Sequence, residues 1–331
     1  MKTNRLLNGL KKFFTRLIVF LLVLSLTGMI YQTAATEADK KNFPPPGNLI
    51  DVGAFKMHID CVGEGSPTVI LEALSGGFSS YWAWVQPEVA KQVRVCVYDR
   101  AGFGWSESDA EPESPERTAR NLHTLLTNAG IDGPYVLVGH SKGGLYERQY
   151  AEMYPQEVAG LVLLDSSHPD QFERHPDWLK GDTSVLTWMP VIKTLLRLGV
   201  GHAYFAFGGE ADFAELPAQQ HDELAAAWSS VRYWQSQEAS MRAGERIFQQ
   251  AQSLGTLGNL PLAVISRGTD LDSGWEGQQN ELAMLSTNSM HITVEGSTHA
   301  SLIFNPQHAQ RVSQVIIQVV NTIRTGKPLN P

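Results

Sequence analysis

The segment Val136-Leu137-Val138-Gly139-His140-Ser141-Lys142-Gly143-Gly144 ends an apolar run in a serine flanked by small residues. Gly139-x-Ser141-x-Gly143 is the spacing of a nucleophile elbow, where a strand turns sharply into a helix with the serine at the apex. The turn strains the serine backbone and presses together the residues two before and two after it, so only small side chains fit there. Residues 145–154 have helical composition and stop at Pro155. Ser141 is therefore expected at the carboxyl end of a buried strand and at the N-terminus of a helix, whose dipole favours developing negative charge. Such a serine performs acyl transfer when a base, a group orienting that base and an oxyanion hole stand beside it.

A base is available downstream. The last strand candidate, residues 292–295, runs into Gly296-Ser297-Thr298-His299, which puts His299 in a loop at a strand's carboxyl end, the sheet edge expected for Ser141. His291 falls in or at the start of that strand, His308 in the last helix and His140 on the elbow itself, so His299 is the expected general base. Two acids compete to orient it. Asp270 lies beyond the penultimate strand, and Asp165 ends the strand that finishes in Leu164. Asp270 is favoured because its loop has room to curve toward His299, whereas Asp165 must also launch the next segment. Asp165 is the alternative and Asp272 a third; the aspartate not used is then a turn former.

These groups need a sheet with all its functional loops at one edge. Strand candidates are residues 49–52, 56–62, 68–72, 93–98, 135–139, 160–164, 262–266 and 292–295. A helix is predicted over residues 116–129, ending at Gly130. Strands alternating with helices give an α/β fold with a mainly parallel sheet. Only Gly53-Ala54-Phe55 separates the first two strands, a hairpin length, so one of them runs antiparallel. Residues 166–258 break the rhythm: they are helix-like, most clearly at 222–228 and 231–251, and rich in aromatics such as Trp178, Trp228, Tyr233 and Trp234. They read as an inserted cap within a domain spanning residues 49–331. His175, His202 and His221 in this insert lack metal-ligand spacing and are expected to be surface or packing residues, and the two cysteines, Cys61 and Cys96, form no metal motif.

Charge is unevenly placed. The first sixteen residues hold Lys2, Arg5, Lys11, Lys12 and Arg16 and no acid, so the net charge of −8 leaves about −13 on the remainder. An acidic body without a Lys/Arg cluster argues against nucleic acid as partner. The basic head precedes an uncharged apolar run, residues 17–30, that extends to about 19 residues at Ala35. Residues 1–35 thus read as a signal-anchor, with a cleaved secretory signal the alternative. Tyr31 and Gln32 make a poor cleavage region, which favours the anchor. Positive charge on the N-terminal side places the body outside the cytoplasm in either case. Residues 36–48, with Pro44-Pro45-Pro46-Gly47, read as a stiff linker. In an exported chain Cys61 and Cys96 either pair or remain two buried thiols.

Three motifs together carry a resemblance: Val138-Gly139-His140-Ser141-Lys142-Gly143-Gly144, Tyr98-Asp99-Arg100-Ala101-Gly102-Phe103-Gly104-Trp105-Ser106, and Gly296-Ser297-Thr298-His299 with Pro306 downstream. Over residues 47–325 the chain resembles the α/β-hydrolase superfamily, whose triad follows the order Ser, acid, His. The resemblance implies an eight-stranded sheet, a helical cap after the sixth strand, and neither cofactor nor metal. It also places the strand of Cys61 beside that of Cys96, which favours a disulfide. The segment Asp99-Arg100 with Gly102 and Gly104 recurs there as a structural turn and receives no catalytic role. The oxyanion loop departs from the superfamily pattern, reading Glu72-Ala73-Leu74-Ser75-Gly76-Gly77 with leucine where glycine is usual. The hole is expected to combine the Lys142 backbone N–H with that of Ser75 or, in the other register, Leu74. The Lys142 side chain is expected to point elsewhere.

The activity implied is hydrolysis of a small carboxylic ester with an apolar acyl or alcohol part, the aromatic cap suiting such a group better than a sugar or charged peptide. The same triad serves aminopeptidases, lactonases, C–C hydrolases and cofactor-free haloperoxidases. Related epoxide hydrolases and dehalogenases use aspartate at the elbow, which disfavours their chemistry for Ser141. A catalytically silent envelope binding protein is the non-enzymatic alternative, and intact Ser141 and His299 argue against it.

Overall fold

The computed structural model describes residues 2–209, 213–272 and 274–329, with the side chains of residues 2–6 and 178–183 outside that description. Residues 210–212 of the expected cap, and the side chains of Lys2, Arg5 and Trp178, thus lie outside the described residues. Helix α1 (Lys2–Asn42) leads into the hairpin β1 (Asn48–Asp51) and β2 (Lys56–Val62). The chain continues through β3 (Thr68–Glu72), α2 (Val85–Ala90), β4 (Val95–Tyr98), α3 (Pro115–Asn128), β5 (Tyr135–His140), α4 (Gly143–Met153) and β6 (Val158–Leu164). A helical insert follows, α5 (Gln171–Arg174), α6 (Pro176–Arg197), α7 (Val200–Ala206), α8 (Ala218–Trp228) and α9 (Val231–Ala251). The fold closes with β7 (Leu262–Arg267), α10 (Trp275–Ala283), β8 (Ser289–Val294), α11 (Ser301–Phe304) and α12 (Pro306–Thr325).

The eight strands form one sheet in the order β1-β2-β4-β3-β5-β6-β7-β8. β2 runs antiparallel to β1, as the short Gly53-Ala54-Phe55 connection requires, and also to β4, and the pairings from β4 to β8 are parallel. The central strands are apolar on both faces because helices cover both. Val69, Leu71, Val136, Val138, Val162 and Leu164 face the core under α2 and α12, while the alternate residues Ile70, Leu137, Leu161 and Leu163 face the core under α3. A smaller apolar cluster joins Leu145 and Tyr146 of α4 to Ala243, Ile247 and Phe248 of α9, and this contact docks the insert over the elbow.

Cys61 and Cys96 stand directly opposite each other across β2 and β4 and are joined by a disulfide. Closing a loop of 35 residues constrains the unfolded chain. Replacing both cysteines with alanine is expected to lower unfolding free energy by roughly 2–4 kcal/mol. Denaturant midpoints of the two proteins check this, and an unchanged midpoint would refute it.

The N-terminal region differs from expectation. Residues 36–42, read above as part of a linker, continue α1 to Asn42, and only residues 43–47 separate the helix from β1. Glu37, Ala38, Asp39 and Lys40 are compatible with a helix, and Lys40 bonds Glu37 across one turn at 2.7 Å. Lys40 and Lys41 complement the negative end of the helix dipole, and Pro44-Pro45-Pro46 prevents continuation. α1 is long and apolar enough to cross a membrane, and no residue of its most apolar window is buried by the rest of the protein. Its last turns behave differently. Gln32 is buried, donating from Nε2 to the Ser229 carbonyl at 3.1 Å, while His202 bridges Gln32 Oε1 (2.9 Å) and Asp39 Oδ2 (2.7 Å).

Candidate active site

Ser141 adopts φ 57, the left-handed region that a side-chain-bearing residue enters only when its surroundings impose it. The imposing contacts are visible at the flanking glycines. A Cβ on Gly139 would lie 2.5 Å from the Gly144 nitrogen, and one on Gly143 would lie 2.9 Å from the carbonyls of Glu72 and Ala73. Ser141 N donates to the Leu164 carbonyl, and Ser167 N donates to the Ser141 carbonyl, both at 3.0 Å. The elbow is therefore tied to the carboxyl end of β6, where Asp165 begins the insert.

His299 lies beyond β8 on the same edge, its ring centroid 4.6 Å from that of His140, the residue preceding Ser141. Its Nδ1 is 2.5 Å from Asp165 Oδ2. An ionised carboxylate only accepts, so Nδ1 carries the imidazole proton and Nε2 is left as the basic nitrogen. Asp165 is fully buried and takes further hydrogen bonds from Arg267 N (3.2 Å), Arg267 Nη1 (2.8 Å) and Trp275 Nε1 (2.8 Å). Burial alone would raise its pKa, but the His299 hydrogen bond and the charges of His299 and Arg267 outweigh that and hold it well below the usual carboxylate range.

This arrangement corrects the preference for Asp270. The chain does bend sharply there, at φ 54, but the Asp270 carbonyl is held by Arg267 Nε (3.2 Å) and Nη2 (3.0 Å), and it is Asp165 that meets His299. Asp272 likewise goes to Arg267 Nη2, at 3.2 Å. Asp165 reaches the imidazole because it too is left-handed, φ 42, with its amide hydrogen-bonded to the Ile265 carbonyl of β7. That bond curls the side chain back over the sheet edge instead of letting it follow the chain into the insert. Sequence reasoning also passed over Arg267 and Trp275, whose guanidinium and ring stack at 4.3 Å. An arginine closing the apolar strand Leu262–Arg267 was the available sign.

On its other side, the elbow is abutted through Gly143 by the loop after β3. Arg100 is 4% exposed, pairs with Glu72, and donates from Nη1 to the Ala73 carbonyl (2.7 Å) and from Nη2 to the Leu74 carbonyl (2.9 Å). A trans peptide points its N–H opposite its C=O, so the amides of Leu74 and Ser75 are turned away from Arg100. The motif read as a structural turn thus fixes the peptide orientation of this loop. Asp99 does the turn work, accepting from Ser79 N (2.7 Å) and Trp105 N (2.8 Å). Burial raises the Glu72 pKa against the opposing Arg100 charge. Arg100→Met would leave this carboxyl buried without its partner and is expected to cost about 3–5 kcal/mol of stability; thermal unfolding of the variant checks it. Lys142 extends its side chain toward the insert, with Nζ donating to Ser240 Oγ at 2.7 Å.

The three other histidines weighed above as the base have structural surroundings. His140 is buried between Trp82 and His299, and burial, reinforced by His299, pushes its pKa well down. His291 lies inside β8 against Ser266 Oγ (2.7 Å) and Asn280 Oδ1 (2.8 Å), and His308 in α12 contacts Ser301 Oγ (3.1 Å). Among the described residues no cluster of His, Cys, Asp or Glu has the arrangement of a metal site. A cavity of about 850 Å³ opens beside His299, bounded by Arg267, Asp270, Phe304 and Asn305. A second, of about 390 Å³, runs between the end of α1 and the insert, bounded by Phe43, Phe78, Trp105, Glu223 and Tyr233.

Residues 67–306 match the family model described as the alpha/beta hydrolase fold. An uncharacterized protein of Schizosaccharomyces pombe is 28% identical over 260 residues, which cover 76% of this chain and 46% of that protein. The chain thus spans about half the length of this relative. Among solved structures, an epoxide hydrolase from Bacillus megaterium superposes with a TM-score of 0.63 at 16% identity, covering 82% of this chain and 99% of that one. A thermophilic esterase from Thermogutta terrifontis superposes with a TM-score of 0.54 at 18% identity, covering 83% and 97%. Family model and superpositions agree with the fold described above: the chain belongs to the α/β-hydrolase-fold family.

Proposed function

We propose that the protein is a serine hydrolase that cleaves carboxylic esters with an apolar acyl or alcohol part, tethered to a membrane by α1 with its catalytic body outside the cytoplasm. The observation that carries this reading is the His299–Asp165 pair beside a serine held on a strained turn. In the mechanism, Ser141 Oγ attacks the ester carbonyl while His299 Nε2 takes its proton. The backbone N–H of Lys142, with that of Ser75 or Leu74, stabilises the oxyanion. His299 then returns the proton to the leaving alcohol. Water, activated by the same nitrogen, attacks the acyl-serine and releases the acid and the free serine. Asp165 keeps Nδ1 protonated and offsets the positive charge of the imidazolium.

Serine at the elbow favours acyl-serine chemistry over the carboxylate route implied for epoxide hydrolases. The aromatic insert, with Trp228, Tyr233 and Trp234 in mutual contact, favours an apolar substrate group. The test uses the full chain in detergent with p-nitrophenyl esters of increasing acyl length and a fluorophosphonate probe. Covalent labelling of Ser141 and turnover of at least one ester are expected. No labelling would favour the silent binding protein, and labelling without ester turnover would move the reading to another acyl hydrolase of this fold.

A further inference from the structure

The insert presents an apolar face that no described element covers. Trp188, Val191 and Leu195 lie on α6 at spacings of three and four, on one side of the helix, and Val200 and Phe207 are exposed past the α6–α7 turn. Trp188 is 64% exposed and Phe207 91%. A contiguous patch of this kind on a protein surface marks an interaction site.

What covers it follows from where α1 touches the insert. Residues 17–36 of α1 are uncharged, bounded by Arg16 and Glu37. At ~1.5 Å per residue these ~20 residues match the ~30 Å hydrocarbon thickness of a bilayer. The α6–α7 turn packs against this stretch rather than beyond it. A Cβ on Gly28 would lie 2.4 Å from the Leu198 carbonyl oxygen, and one on Gly199 would lie 2.5 Å from the Tyr31 ring. Gly28 and Tyr31 are ~12 Å and ~8 Å below Thr36 along the helix axis. When α1 spans a bilayer, the turn touching them cannot remain in water. At those depths it lies among the acyl chains of the adjacent leaflet, just beyond the headgroup boundary into which the apolar faces of surface helices insert.

The same seam leads toward the site. The 390 Å³ cavity is walled by Thr36, Asp39 and Phe43 at the end of α1 and by Phe78 and Tyr233 on the far side. The Tyr233 hydroxyl closes on Gly76 of the oxyanion loop, where a Cβ would lie 2.8 Å from it. We propose that the α6–α7 face of the insert is seated in the bilayer surface beside α1, and that the site draws its ester from that bilayer as an amphiphile. The substrate half of this rests on the ester-hydrolase reading; the seating does not.

The test reconstitutes the full chain in phosphatidylcholine vesicles with Phe207→Cys labelled by an environment-sensitive nitrobenzoxadiazole. Both native cysteines are held in the disulfide, which leaves the new thiol to react. In vesicles whose acyl chains carry bromine, emission from position 207 is expected to fall at least twofold. The same label on Glu64→Cys, exposed at the opposite sheet edge, is expected to be unchanged. Equal, bromine-insensitive emission at both positions would overturn the seating, as would protection at 207 that persists in detergent through a second copy of the chain. For the substrate, Trp188→Ser/Val191→Ser/Phe207→Ser is expected to hydrolyse a vesicle-borne long-chain ester at least tenfold more slowly, with p-nitrophenyl acetate hydrolysed within twofold of wild type. An unchanged vesicle rate, or equal loss on both esters, would overturn delivery from the bilayer. If wild type hydrolyses neither ester, the hydrolase reading fails, while bromine quenching still decides the seating.

Discussion

Ser141→Ala is expected to reduce kcat for ester hydrolysis by roughly 10⁵- to 10⁶-fold while leaving the fold intact, the scale of loss when a triad nucleophile is removed. The size follows from the division of labour at the site. The bond to the acyl carbon forms at Oγ, and neither His299 nor the backbone amides can supply that atom. Folding is expected to survive because the elbow is held by its backbone: Ser141 N to Leu164, Ser167 N to the Ser141 carbonyl, and the packed glycines around it. The measurement is kcat/KM alongside the thermal unfolding midpoint and fluorophosphonate incorporation. Activity near wild type in a folded Ser141→Ala protein would remove the serine mechanism altogether.

Asp165→Asn is expected to lower kcat/KM by about 10⁴-fold, because an amide in place of the carboxylate stabilises the wrong imidazole tautomer. Asp270→Asn is expected to lose less than tenfold, since the contact recorded for Asp270 is made by its backbone carbonyl, which the substitution retains. A greater loss at Asp270 than at Asp165 would reverse this assignment. The same pair predicts an acid limb in stability. The folded-state pKa of Asp165 is depressed, so its contribution is fully present above the free-aspartate value of about 3.9 and is lost as pH falls below it. Asp165→Asn should therefore flatten the acid side of the stability–pH profile, measured by denaturant unfolding between about pH 5 and the lowest pH tolerated. An unchanged acid limb would show that the pair is not formed in solution.

Features written in contiguous residues were legible without a structure. The elbow is a local steric device, so Gly139, Ser141 and Gly143 announce it, and the strand and helix around it follow from hydrophobic run and stop residue. The β1–β2 hairpin followed from a connection too short to cross the sheet. His299 was marked by its place just after the last strand.

Which aspartate meets His299 was not legible, because both follow strands at the same edge. It depends on the β6–β7 register, which brings the Asp165 amide to Ile265 and its carboxylate to Arg267 and His299 across more than a hundred residues of chain. Arg100 was read as a turn residue because its partners, the carbonyls of Ala73 and Leu74, lie far off in sequence, in the loop that follows the neighbouring strand β3. Residues 36–42 looked like linker by position, yet helix-compatible residues and the docking of Gln32 and Asp39 against the insert carry α1 through them. Local sterics and periodicity act within a few residues and so can be read from the chain. Carboxylate partners, buried ion pairs and helix docking are decided by strand register and packing, which only the folded chain brings together.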